Sequence, residues 1–138
     1  MRFEIPFFGH ENIRSLHPKT IEITTESHLT TNGDCIVGVN ADSGCNDLSE
    51  KMKILLQNSK STVSCTIVVK DFSFKVTGRG DDKLTLTNPH DIVIRKSSFV
   101  CPRTLATNCD AASDTIPREM IKILQNPDAK GTFVIEVT

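Results

Sequence analysis

The sequence predicts a mainly β fold (β-rich α+β), with two pseudo-symmetric β-β-β-α-β repeats packed as one sandwich-like or barrel-like domain with two helices. Three observations carry that prediction. The 138-residue chain matches itself when slid by 71 residues and, after a gap of three, by 68. Short apolar runs alternate with polar residues at the period of a strand. Two other stretches place apolar residues at helical spacing instead.

The matches set the limits of the units. Phe3, Gly9, Pro18, Ile21, Ile23 and Ser27 meet Phe74, Gly80, Pro89, Ile92, Ile94 and Ser98 at the first offset. Asn40, Asp42, Met52, Leu56-Gln57-Asn58 and Ile67 meet Asn108, Asp110, Met120, Leu124-Gln125-Asn126 and Ile135 at the second. Self-similarity of this kind marks a repeated structural unit, here over residues 3–69 and 74–138. A unit of about 67 residues closes a core poorly alone, so the two are expected to share a single domain over residues 1–138.

Taken in order, Arg2–Phe8 reads as a strand, and Thr20–Thr24 alternates Ile21 and Ile23 with polar residues. Asn32-Gly33-Asp34 reads as a tight turn with Gly33 at positive φ. Cys35–Val39 follows as a short apolar strand. Asp47, with Glu50 three residues on, reads as a capping box. The helix after it sets Leu48, Met52, Leu55 and Leu56 in one stripe. Thr62–Lys70 closes the unit with Val63, Cys65, Ile67 and Val69 on one face. In the second unit Ile116, Met120, Ile123 and Leu124 repeat the helical stripe. Pro117 suits its first turn, and Pro127 stops it after Asn126. This spacing makes both methionines core residues.

Composition removes several classes. The net charge is −1, with too many Val, Ile, Leu and Phe residues for a disordered chain. No apolar run approaches the roughly 18 residues of a membrane span. The N-terminal residues show no signal-peptide pattern, so a cytoplasmic protein with free thiols is expected. The cysteines are Cys35, Cys45, Cys65, Cys101 and Cys109, none in a C-x-x-C pair, and no metal site is expected. Cys101 reads as an ordinary loop cysteine; the alternative is a thiolate favoured by Lys96 and Arg103, its neighbours in sequence. The lack of Trp and Tyr leaves few platforms for stacking bases.

Candidate site residues come from asymmetry between the units. Thr24, Thr25, Cys35 and Ile36 correspond to Arg95, Lys96, Arg103 and Thr104. Three cations beside Ser97 and Thr104 would suit an anion, with Arg giving bidentate contacts. The leading function is therefore a binding module for a phosphorylated small molecule or an RNA backbone, with Asn12 and Arg14 as further ligand contacts. The alternative is a small enzyme using His10 or His17 with Asp81 in acid–base chemistry, if the pseudo-symmetry brings these loops together. A third reading is a structural subunit of a protein complex. His28, aligned with Phe99, is expected to be half-buried, and His90 to lie in a turn. Matched Asp42 and Asp110 fit Asx turns. No membrane partner is implied, and an oligomer stays open.

GHENIR (9–14), HPKTIEIT (17–24), GDCIVGV (33–39), LTLTNPHDIVIRKSSFVCPRTLA (84–106) and DTIPRE (114–119) resemble an archaeal family of conserved proteins, domain of unknown function 371. The resemblance covers nearly the whole chain and is most specific over 84–106. It implies an archaeal cytoplasmic protein with a mainly β, sandwich-like fold. It implies no activity. Gly80-Asp81 departs from the His expected after the second glycine of the family's GxG.

Overall fold

Eight strands pair into two four-stranded sheets, one of long strands and one of short strands. The computed structural model describes all 138 residues. In chain order the elements are β1 (Arg2–Phe8), β2 (Thr20–Thr24), β3 (Ile36–Gly38), α1 (Glu50–Leu56), β4 (Thr62–Val69), β5 (Phe72–Arg79), β6 (Asp91–Arg95), β7 (Thr104–Ala106), α2 (Arg118–Leu124) and β8 (Lys130–Val137). A 3-10 turn precedes each helix, at Cys45–Asp47 and Ser113–Thr115. No helix is long and apolar enough to cross a membrane.

One sheet runs β1-β8-β4-β5, antiparallel throughout. The other runs β3-β2-β6-β7, with an antiparallel centre and parallel flanks. Both orders are unchanged when the halves of the chain are exchanged. At the sheet centres Glu22 faces Val93 and Thr66 faces Val134, residues separated by 71 and 68 positions. The sheets form a sandwich stitched at its corners. Phe8 and Val39 exchange backbone bonds of 2.8 and 2.9 Å, and Arg79 and Thr107 do the same. The stitches cover edges that would otherwise present unpaired backbone. One cluster of 32 buried hydrophobic residues, drawn from both halves, fills the space between.

Gly9 and Gly80 fix how each loop passes a helix end. A Cβ on Gly9 would meet the carbonyls of Leu124 and Asn126; on Gly80 it would meet those of Leu56 and Asn58. The close approach lets His10 N–H bond Leu124 O at 2.9 Å and Asp81 N–H bond Leu56 O at 3.0 Å. These bonds satisfy carbonyls that the helix itself leaves free.

Several local expectations are corrected. Ser49, not Asp47, caps α1, its hydroxyl accepting from Met52 N–H at 3.2 Å. Extended backbone at Leu48 separates the two turns, and Asp47 instead accepts from Gly44 N–H at 2.9 Å. α2 ends at Leu124 rather than Asn126, with Pro117 at its N-cap. Each helix spans only two turns, so its buried stripe is narrow. Met52 and Leu56 are buried while Leu55 is exposed; Met120, Ile121 and Leu124 are buried while Ile123 is only partly so. Gly33 does not take positive φ; Ser15, Asn40, Lys70, Leu86 and Asn108 do. His28 and Phe99 are both exposed, because their loops run outside the sheets.

Arg118 ties the first loop to α2. Its guanidinium donates to the carbonyls of Arg14 (3.1 Å), Ser15 (2.9 Å), Ser113 (3.0 Å) and Ile116 (2.8 and 3.1 Å). Arg118 lies at the surface, so water replaces some of these bonds on removal. Arg118→Met is expected to cost about 1–2 kcal/mol in urea unfolding. A loss below about 0.5 kcal/mol, the range of an ordinary surface change, would show that the latch is redundant.

Candidate functional site

The loop between β6 and β7 folds back as a tight turn. Thr104 N–H bonds Cys101 O at 3.0 Å, and Cys101 N–H bonds the Thr104 hydroxyl oxygen at 3.2 Å. Pro102 O accepts from Thr87 N–H and Asn88 N–H, at 3.2 and 3.1 Å, which pins the turn from outside. Thr104 is fully buried. Its oxygen also accepts from Arg95 Nε at 3.0 Å. Two N–H donors occupy both hydroxyl lone pairs, so the hydroxyl hydrogen is directed at Cys101 Sγ, 3.5 Å away. Arg95 brings a second donor to the same sulfur at 3.3 Å. The sulfur thus stands as an acceptor of two hydrogen bonds, the role of a thiolate.

Charge follows geometry. Burial raises the Cys101 pKa, but bonds from the Thr104 hydroxyl, the Arg103 backbone and Arg95 outweigh it and lower the value to about 7. The other four thiols go the other way. Burial pushes Cys35 up to about 11, Cys45 and Cys109 to about 12, and Cys65 well above its usual value. All five cysteines are free, and Cys101 is partly exposed.

Arg103 extends the site inward. It meets Glu22 at 3.3 Å and Asp91 at 3.5 Å. Glu22 is only 5% exposed. Burial, then the charge of Asp91, raises its pKa to about 7, against the pull of Arg103, the Cys35 thiol and Arg95. Phe99 stands at the rim, 59% exposed, with the Arg95 guanidinium 4.9 Å above its ring. The Lys96 side chain is exposed and has no hydrogen-bond or ion-pair partner. Ser97 accepts Phe99 N–H at 3.3 Å and so shapes the loop.

Arg95, Arg103 and Thr104 therefore meet, but around Cys101 and Glu22 rather than around an open anion pocket. The remaining candidates lie elsewhere and shape turns. His10 Nδ1 accepts Asn12 N–H at 3.0 Å, and Asp81 Oδ1 does the same for Lys83 N–H at 2.9 Å. His17 Nδ1 accepts from Lys19 and Thr20, as Asn88 Oδ1 accepts from His90 and Asp91. Each histidine does the work of an Asx oxygen, and neither bonds Asp81. Asn12 spends its amide on Leu29 O at 2.8 Å, and Arg14 offers only its backbone carbonyl, to Arg118. No three His, Cys, Asp or Glu side chains converge as a metal set.

Sequence reasoning missed Glu22 and Phe99. The signal for Glu22 was its match to Val93, a charged residue set against an apolar one at the centre of a sheet.

The family model described as "Domain of unknown function (DUF371)" matches residues 5–138. An uncharacterised protein of the archaeon Methanocaldococcus jannaschii is 41% identical over 125 residues, which covers 91% of this chain and 92% of that protein. With nearly its whole length matched by the family model, and a relative this similar end to end, the chain belongs to the DUF371 family.

Proposed function

We infer that Cys101, at the β6–β7 corner, is a surface nucleophile that reacts with small electrophiles, anionic ones favoured by the Arg95 guanidinium beside it. The observation that carries this reading is the partly exposed Cys101 sulfur, held by Arg95 at 3.3 Å and by the buried Thr104 hydroxyl at 3.5 Å. A thiolate placed among cations is nucleophilic near neutral pH. Attack on a carbonyl carbon forms the S–C bond and sends the π pair to oxygen, where the Arg95 guanidinium is the cation at hand. Arg103 is already paired with Glu22 and Asp91, so it supports the site rather than anchoring ligand. The matched positions in the other half carry Thr24, Thr25, Cys35 and Ile36, consistent with a duplicated unit that keeps one working copy.

Alkylation tests this reading directly. Iodoacetate, an anion, and iodoacetamide, its neutral counterpart, are compared at each cysteine by mass spectrometry. Cys101 is expected to react first, with a midpoint near pH 7. It should favour iodoacetate more than free cysteine does, and Arg95→Gln should remove that preference. Arg95→Gln should move the midpoint up by about one unit, the size of shift a neighbouring charge gives. A Cys101 that titrates like a free thiol and shows no preference for the anion defeats the proposal.

A further inference from the structure

A second site lies away from the thiol. The larger of the molecule's two clefts, about 550 Å³, is walled by Lys70, Lys122 and Lys130 with Ile123, Asn126 and Asp128. The three lysines come from three places: the β4–β5 turn, the last turn of α2 and the start of β8. None of them takes part in any ion pair of the molecule, and neither does Asp128. Lys130 is steadied by the Phe8 ring, with Nζ 5.9 Å from its centroid. Lys70 sits at φ 52° in a two-residue hairpin turn, a place that Asn or Gly fills with less strain.

Two simpler accounts fall short. Lys122 complements the C-terminal end of the α2 dipole, but that explains one lysine of three. A generally basic surface would explain all three, but the chain has a net charge of −1. At the matched positions of the other half, Ile54 stands for Lys122, Thr62 for Lys130 and Lys60 for Asp128. The matched positions carry a single lysine, Lys60, so the convergence of three is particular to this cleft.

We propose that the cleft binds a phosphorylated sugar, with phosphate among the three ammonium groups and hydroxyls on Asp128 and Asn126. Lysines act as point charges suited to phosphate. The cleft volume falls in the range of small-molecule sites, about 300–1,000 Å³, and exceeds the needs of a bare phosphate ion. Asp128 repels a pure polyanion and accepts hydrogen bonds from hydroxyls. Asn126 Oδ1 is taken by Asp128 N–H at 2.9 Å, which leaves the amide N–H groups free to donate. The site shares no residue with the Cys101 corner, so either proposal can fail alone.

The test is calorimetric titration with ribose 5-phosphate, pyrophosphate, ribose and a short single-stranded RNA, at low and high salt. Ribose 5-phosphate should bind and ribose should not, and salt should weaken the binding. Lys70→Asn relieves the left-handed turn, so it should fold at least as stably while weakening ribose 5-phosphate about tenfold or more. Lys122→Gln should weaken it similarly. Asp128→Asn should shift preference toward pyrophosphate. Equal affinity in wild type and the Lys70→Asn/Lys122→Gln double variant overturns the proposal. So does RNA binding lost in the double variant without any binding of ribose 5-phosphate, which would assign the lysines to a nucleic acid.

Discussion

Phe7→Ala is expected to cost about 4 kcal/mol of unfolding free energy, within the range for removing a buried aromatic ring. Phe7 is fully buried on β1. Its ring fills the space left by two glycines: Gly131, its cross-strand partner on β8, and Gly38 on β3 of the other sheet. A Cβ at either glycine would run into the ring. Truncation therefore leaves a void that neither neighbour can fill. The other half of the chain solves the same packing differently. There Gly78 stands for Phe7, Val63 for Gly131 and Ala106 for Gly38. Transplanting that solution should work as a set. Gly131→Val or Gly38→Ala beside Phe7 should each destabilise by overpacking. Phe7→Gly with both substitutions should recover most of the loss, a strong non-additivity for residues in direct contact. Urea unfolding with a constant m-value reads these changes. Additive effects across the set, or a loss below about 2 kcal/mol for Phe7→Ala, would refute the interlocking account.

The contrast between Phe7 and Glu22 shows what the sequence could reveal. β1, β2 and β4 were legible because alternation depends only on local period; Thr20–Thr24 has the same bounds in both readings. Glu22 was not legible, because a polar residue between two isoleucines looks like the solvent side of an edge strand. β2 is buried on both faces, and that depends on what packs over its sheet. The short helices were legible as helices but not in their caps, since Leu48 breaks the chain between two turns. The histidines misled for a different reason. Their turn-capping role was already written in the match of His10 to Asp81 and His17 to Asn88, two residue types that habitually close turns. At the site, Lys96 and Arg103 were visible as neighbours in sequence. Arg95 reaches the sulfur only because β7 returns parallel to β6.

Glu22 should give the protein a pH dependence opposite to that of an ion-paired surface acid. Its carboxyl titrates near 7 in the fold, against 4.5 for an ordinary glutamate. The native state therefore binds this proton more tightly than the unfolded chain. Its contribution to stability is fully present below about pH 4.5, falls as pH rises toward 7, and stays low above that. The difference corresponds to about 3 kcal/mol. Glu22→Gln keeps the shape of the neutral acid and removes the titration. The variant should match wild type near pH 4.5 and exceed it by about 2–3 kcal/mol at pH 8. The difference between the two stability curves isolates Glu22 from the other carboxylates. A flat difference, or a wild type that gains on the variant as pH rises, removes Glu22 as a buried acid. The same substitution reaches the thiol. Arg103 faces both Glu22 and Cys101, so the two titrations are coupled through one guanidinium. With Glu22 neutral at every pH, Arg103 answers only to Asp91 and the sulfur. The alkylation midpoint of Cys101 should then move down, whereas Arg103→Gln should move it up. A midpoint that ignores both substitutions would separate the buried acid from the reactive thiol and leave Arg95 and Thr104 as the groups that hold the sulfur.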